Sequence, residues 1–183
     1  VKKLLLSAVL AASVAGCRFC GPSDDDFLRV NGHDIVDGCG NKFFIRGINL
    51  GHWLNPEGYM FGFSKCNSAH MINTMFCELV GSEETKKFWR AFKENYITEK
   101  DIAAIASTGA NTVRLPLHYK LFTEDEYLGD SDPEEGFKRI DDVVAWCRKY
   151  RIRVIIDMHS CPGGNTGDNI DDSYGFPWLF KEE

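Results

Sequence analysis

The sequence predicts an α/β protein built on a parallel sheet: the first three β-α units of a (β/α)8 barrel, preceded by a small β-hairpin. Three observations carry this. Runs at 42–50 and 153–158 are mostly apolar and the run at 111–116 is short and β-rich, closer to parallel strands covered on both faces than to the strict alternation of a sheet with one wet face. Segments with apolar residues at helical spacing separate the second and third runs from what precedes them. Polar and aromatic residues gather just after each run, where a barrel builds its site. A doubly wound sheet is the competing architecture, but its glycine-rich phosphate turn is absent, since the first run leads into Asn49-Leu50-Gly51-His52-Trp53.

In chain order, Leu28-Arg29-Val30 and His33–Asp37 flank Asn31-Gly32, a tight-turn signal, and give the hairpin. After the Gly38–Asn41 turn, KFFIRGINL (Lys42–Leu50) is expected as the first, buried barrel strand. A polar and aromatic insertion follows from His52 to about Asn95, with helices expected near Ala69–Leu79 and Glu83–Glu94. Thr98 is placed to cap a helix from Glu99, with Asp101 in its first turn and Gly109 to end it. Ile102, Ile105 and Ala106 form its apolar face. The second strand is Asn111–Pro116, stopped by proline. Glu134–Tyr150 is expected as a helix with Ile140, Val143, Val144 and Cys147 on one face, before the third strand, Arg153–Met158. Three units are short of the roughly 250 residues of a whole barrel, so the sequence is expected to be an N-terminal part.

Residues 1–16 read as an export signal: Lys2 and Lys3, then an apolar run from Leu4 to Ala15. That run is shorter than the roughly 20 residues of a membrane span. Val14-Ala15-Gly16-Cys17 is similar to a bacterial lipobox, which would make Cys17 a lipid anchor and the acidic stretch within 17–26 a solvated tether. Cleavage after Ala15 is the alternative. Residues 27–183 would form the barrel part. The expectation is an exported protein, at the cell surface or in the periplasm if lipidated and otherwise secreted, with membrane contact only through the anchor. A formal charge of −6 leaves no basic patch for nucleic acid. Of the seven cysteines, Cys66 and Cys77 flank a loop and are candidates to pair, and Cys147 reads as a buried thiol. No spacing marks a metal site, and no cofactor is expected.

The candidate site residues stand at strand ends. The first strand ends with Asn49, His52, Trp53 and Glu57, the second with Arg114, the third with Asp157 and His159 followed by a glycine-rich loop carrying Asp168 and Asn169. Singly each has a plain structural reading: an ion pair for Arg114, a core histidine for His159, loop capping for Glu57, Asp168 and Asn169, core for Trp53. Three consecutive strands ending this way make chance a poor account.

IRGINLGHWL, GANTVRLPL and VIIDMHSCPGGNTGDN, each on its expected strand and in order, resemble glycoside hydrolase family 5, the cellulase-type barrels, over roughly 27–180. The first and third pieces are also similar to the exo-β-1,3-glucanase branch, from which the sequence departs at His52, Asn55, Pro56 and Gly58. The resemblance implies an O-glycosyl hydrolase acting on a polysaccharide or oligosaccharide, a β-glucan or a related chain. It implies that Arg114 orients a carboxylate nucleophile and that His159 donates to a sugar hydroxyl. Glu57, Asp168 and Asn169 would bind further hydroxyls, and Trp53 and Trp178 would stack on sugar rings. It places both catalytic glutamates on the fourth and seventh strands, so no residue of this chain, Glu57 included, is expected to be catalytic. A surface lipoprotein that binds glycan without cleaving it is the alternative.

Overall fold

The computed structural model describes residues 27–166 and 169–172. Two units divide between Phe44 and Ile45. In the first, β1 (Arg29–Asn31) and β2 (Asp34–Val36) pair antiparallel with Asn31 opposite Asp34. Gly32 and His33 form the two-residue loop, Gly32 at φ +61°, the geometry that favours glycine in such a turn. The following turn is tied by Asp37, whose Oδ1 accepts the N–H groups of Cys39 and Asn41 at 2.9 Å each.

This arrangement corrects the first barrel strand. Lys42 bridges antiparallel to Val36, its ammonium lies 2.8 Å from Asp34, and the Phe43 N–H donates to the Ile35 carbonyl. Lys42 and Phe43 therefore extend the hairpin. Only Gly47–Asn49 (β3) joins the parallel sheet. The expected burial also fails: Phe44 is 71% and Ile48 55% exposed. Ile48 shares its face with Val113 through register, but β3 is an edge strand and no described helix covers it there.

The second unit orders its strands β3-β4-β5, all parallel, with β4 spanning Thr112–His118 and β5 Arg153–Ser160. Pro116 does not stop β4. The Arg114 carbonyl accepts from the Leu50 N–H, so Pro116, two residues on, turns its missing N–H to the side where β3 has already ended. Proline is tolerated on such an open edge. The helices lie within a residue or so of expectation. They are α1 (Ala69–Val80), α2 (Ser82–Asn95), α3 (Glu99–Ser107) and α4 (Glu135–Lys149). Ser68 caps α1 by accepting the Met71 N–H. Thr98 and Asp101 cap α3 reciprocally, and Gly109 beyond it sits at φ +84°.

The core lies between the outer face of β4 (Val113, Leu115, Leu117) and the helices, with Ile102, Val143 and Cys147 fully buried. Val144, expected on the same face, is exposed. It follows Val143 by about 100° around the helix, which carries it out of the contact. The 52–96 insertion has a core of its own: Phe61, Phe63, Phe76, Phe88, Trp89 and Phe92 meet ring to ring at 5.0–6.3 Å. Lys93 is buried beside it, 3.4 Å from Glu135 and 3.8 Å from Asp130, and Arg139 holds Glu135 at 2.9 Å. These pairs tie α2 to α4. Cys66, Cys77, Cys147 and Cys161 are free thiols, so the expected Cys66–Cys77 pair is not formed. Cys39 is disulfide-bonded.

Candidate functional site

Parallel register builds one half of the site. Asn49 pairs with Arg114, and Pro116 with Asp157. Alternation along each strand therefore puts Asn49, Arg114, Asp157 and His159 on one sheet face at one end. Arg114 Nη2 lies 2.6 Å from Asp157 Oδ2 and 3.0 Å from His159 Nδ1, and that nitrogen lies 3.1 Å from the same Asp157 oxygen. A guanidinium N–H can only donate. The Asp157 carboxylate can only accept, so the two contacts ask opposite things of Nδ1, while Nε2 lies 3.4 Å from Glu57 Oε1.

The other half is the loop after β3. Glu57 donates its backbone N–H to His52 Nδ1 at 3.3 Å, and its carboxylate, beside the Tyr59 hydroxyl, holds that phenol above its ordinary pKa. His52 packs edge-on against Phe61, Phe92 and Tyr96. Burial lowers its pKa, against the opposing pull of the Glu57 charge. Asn55 pins the loop to the end of β5, accepting the buried Ser160 hydroxyl at 3.0 Å. After β5, Asn165 Nδ2 donates to the His159 carbonyl, and Asp171 accepts the N–H groups of Asn165 and Thr166 at 2.6 and 2.9 Å.

Between the halves lies a cavity of about 370 Å³, with Asn49, Arg114 and His159 on one side and His52, Glu57, Tyr59 and Met60 on the other. It has the size of a small-ligand site. Its walls offer a guanidinium, a carboxylate, an imidazole and an amide, the groups that bind hydroxyls, while the exposed Tyr59 and Met60 supply apolar surface.

The sequence-derived residues divide accordingly. Arg114, His159 and Glu57 come together. Trp53 does not join them: it is 0% exposed and donates its indole N–H to the Lys93 carbonyl at 2.7 Å. That corrects its assignment as a stacking platform, because a tryptophan with both faces covered has none to offer a sugar. Cys17, Asp168, the side chain of Asn169, and Trp178 lie outside the described residues. Sequence reasoning set Asp157 at the end of the third strand without a task, and it gave Tyr59 and Asn55 no part in the site. Period-two alternation was signal enough for Asp157, which stands two residues before His159; nothing comparable marks Asn55.

The profile of the cellulase family, glycosyl hydrolase family 5, matches residues 69–178. A β-xylosidase of Phanerodontia chrysosporium is 37% identical over 147 residues, 80% of this chain and 30% of its own length. Glucan 1,3-β-glucosidase 1 of Schizosaccharomyces pombe is 31% identical over 67% of this chain, and endoglucanase C of Acetivibrio thermocellus 41% over 66%. This chain covers 31% and 26% of those two relatives, so it spans about a third or less of the curated proteins it is similar to. Among solved structures, a rutinosidase from Aspergillus niger superposes with a TM-score of 0.57 at 25% identity, over 76% of this chain and 39% of that one. With its parallel strands, its helices and its strand-end cluster in place, the chain belongs to glycosyl hydrolase family 5.

Proposed function

We propose that the protein carrying this chain is a retaining glycosidase acting on a β-glucan or a related polysaccharide, and that the cavity over β3–β5 receives the sugar at the scissile bond. One observation carries the reading: Arg114, His159 and Glu57 converge on the cavity at the C-terminal ends of parallel strands, where barrel enzymes hold their substrates. In this reading the Arg114 guanidinium orients the nucleophilic carboxylate and keeps it charged. His159 Nε2 donates to a sugar hydroxyl, and Glu57 accepts from one. Asp157, already engaged by Arg114, completes the fork's support. Asp168 and Asn169 extend the hydroxyl contacts from the loop after β5. The catalytic pair consists of two glutamates outside the described residues, about 5 Å apart as retention requires.

The relatives' names range over xylosidase, glucan 1,3-β-glucosidase and endoglucanase, which supports sugar chemistry in general and leaves linkage to loops such as 52–63. The test is the first-formed anomer, followed by NMR during hydrolysis of aryl β-glucosides, β-xylosides and β-1,3-gluco-oligosaccharides by the full-length protein. The β-anomer is expected first. An α-anomer formed first overturns retention, and binding without turnover hands the case to a glycan-binding protein.

Export belongs to the same reading. It is supported by residues 1–16 and by the disulfide at Cys39, since disulfides persist in oxidising compartments. With Cys17 as the anchor, Cys17→Ser moves the protein out of the membrane fraction; unchanged partitioning removes the anchor.

A further inference from the structure

His52 departs from its surroundings in one respect. Its backbone lies at φ +67°, the left-handed region that glycine enters freely and other residues enter only against steric resistance. Such outliers survive where their surroundings over-determine them, and they cluster at functional sites. Here the surroundings are explicit. The residue is 4% exposed. Its ring is met by Phe61 at 4.1 Å, Phe92 at 5.8 Å and Tyr96 at 5.7 Å, all edge-on. Three rings from two elements leave the imidazole one orientation, and in it Nδ1 takes the Glu57 N–H at 3.3 Å.

We propose that His52 is a positioning residue for Glu57: the strained backbone and the aromatic cage aim Nδ1 at the Glu57 amide, and so aim the Glu57 carboxylate into the cavity. The proposal rests on the reading of Glu57 as a sugar-hydroxyl acceptor and adds how that carboxylate is held. Glu57 gains from being held, because its carboxylate acts on the neighbouring Tyr59 hydroxyl and lies 3.4 Å from His159 Nε2. A peptide free to rotate at residue 57 would lose both contacts. The ring must keep an unprotonated Nδ1, and burial favours that neutral form. The charged or titratable groups facing it are the Glu57 carboxylate and the Tyr96 phenol.

Two substitutions separate positioning from packing. In His52→Asn the side-chain oxygen stands as many bonds from Cα as Nδ1 does, accepts an N–H and tolerates the left-handed backbone. His52→Gly relieves the backbone but removes the acceptor. The full-length protein is assayed for KM and kcat on whichever aryl β-glycoside the wild type turns over. The 15N-labelled chain is followed by amide exchange at Glu57, with β4 amides as a control for global unfolding. His52→Gly should raise KM by about 2- to 12-fold, the worth of one ordinary hydrogen bond, with kcat less affected, and should lose protection at Glu57 alone. His52→Asn should stay within about 2-fold of wild type and keep that protection. Equal behaviour of the two variants, or a Glu57 amide still protected in His52→Gly, overturns the proposal. A wild type that turns over no glycoside defeats the glycosidase reading, while the exchange comparison still decides the link between His52 and Glu57.

Discussion

The two walls of the cavity are made by different physics. The strand-end wall, Asn49, Arg114, Asp157 and His159, is positioned by register: once β3, β4 and β5 pair in parallel, alternation alone sets these side chains on one face. The loop wall, His52, Asn55, Glu57 and Tyr59, has no ladder to hold it. It is fixed by a ring-packed insertion, a residue forced to positive φ and single hydrogen bonds to β5. The second wall is only as firm as the aromatic cluster beneath it.

The sharpest way to break the comparison is therefore in that cluster. Trp89 touches Phe61, Phe76, Phe88 and Phe92 and donates to Asn73 Oδ1 at 2.9 Å. Trp89→Ala should cost about 3–5 kcal/mol of stability, read by urea unfolding, with amide protection lost first across 52–63 and last in β4. Uniform loss would show that the insertion and the sheet are one cooperative unit.

On the strand-end wall, Arg114→Lys keeps the charge but loses the rigid planar group whose Nη2 meets Asp157 and His159 together. A loss of about 1.5–3 kcal/mol in kcat/KM, roughly 10- to 150-fold, is expected in the full-length protein, with unfolding free energy nearly unchanged. An equal loss in stability would make Arg114 a structural ion pair.

Acid should act on the loop wall and, away from the cavity, at the end of β4. Burial lowers the pKa of His52 in the loop and of His118 at the end of β4, in each case against nearby carboxylate charge. His118 accepts the Lys120 N–H on Nδ1, and its Nε2 lies 3.3 Å from Asp172. Depressed folded pKa values mean that the unfolded chain takes up protons first. The stability these groups contribute is therefore complete above the ordinary 6.5 and declines as pH falls below it through the folded values. Unfolding measured between pH 7.5 and 5 should show that decline, and a flat curve contradicts the burial of both rings.

The smallest expected effect is at Tyr59. Tyr59→Phe removes an exposed hydroxyl from beside Glu57, a change worth at most about 0.5 kcal/mol, the low end for a hydrogen bond. It should appear in KM and not in the unfolding curve.

The same contrast explains what the sequence made legible. Helix limits were readable because caps and apolar spacing are local; Thr98 with Asp101 is the clear case. Arg114 and His159 were readable because strand ends converge once the sheet is parallel. The length of β3 was not, because KFFIRGINL reads as one mostly apolar run and nothing local reveals that Lys42 and Phe43 pair back to the hairpin. Pro116 was misread as a stop, since its tolerance depends on where a neighbouring strand ends. Trp53 was misplaced because a core tryptophan and a sugar platform are identical until burial is known. The strain at His52 is invisible in a string of letters: the histidine stood among the polar residues after the first strand and as a departure from the exo-β-1,3-glucanase branch, and only the backbone shows its positive φ.

The two walls touch where His159 Nε2 meets Glu57 Oε1 at 3.4 Å, and their joint action on one sugar is the central claim. A double-mutant cycle on kcat/KM with Glu57→Gln and His159→Gln in the full-length protein tests it directly. Residues acting together on one ligand should show a coupling of about 1 kcal/mol or more. Losses that add to within about 0.3–0.5 kcal/mol would mean that the walls work independently and that the cavity between them is not a single sugar site.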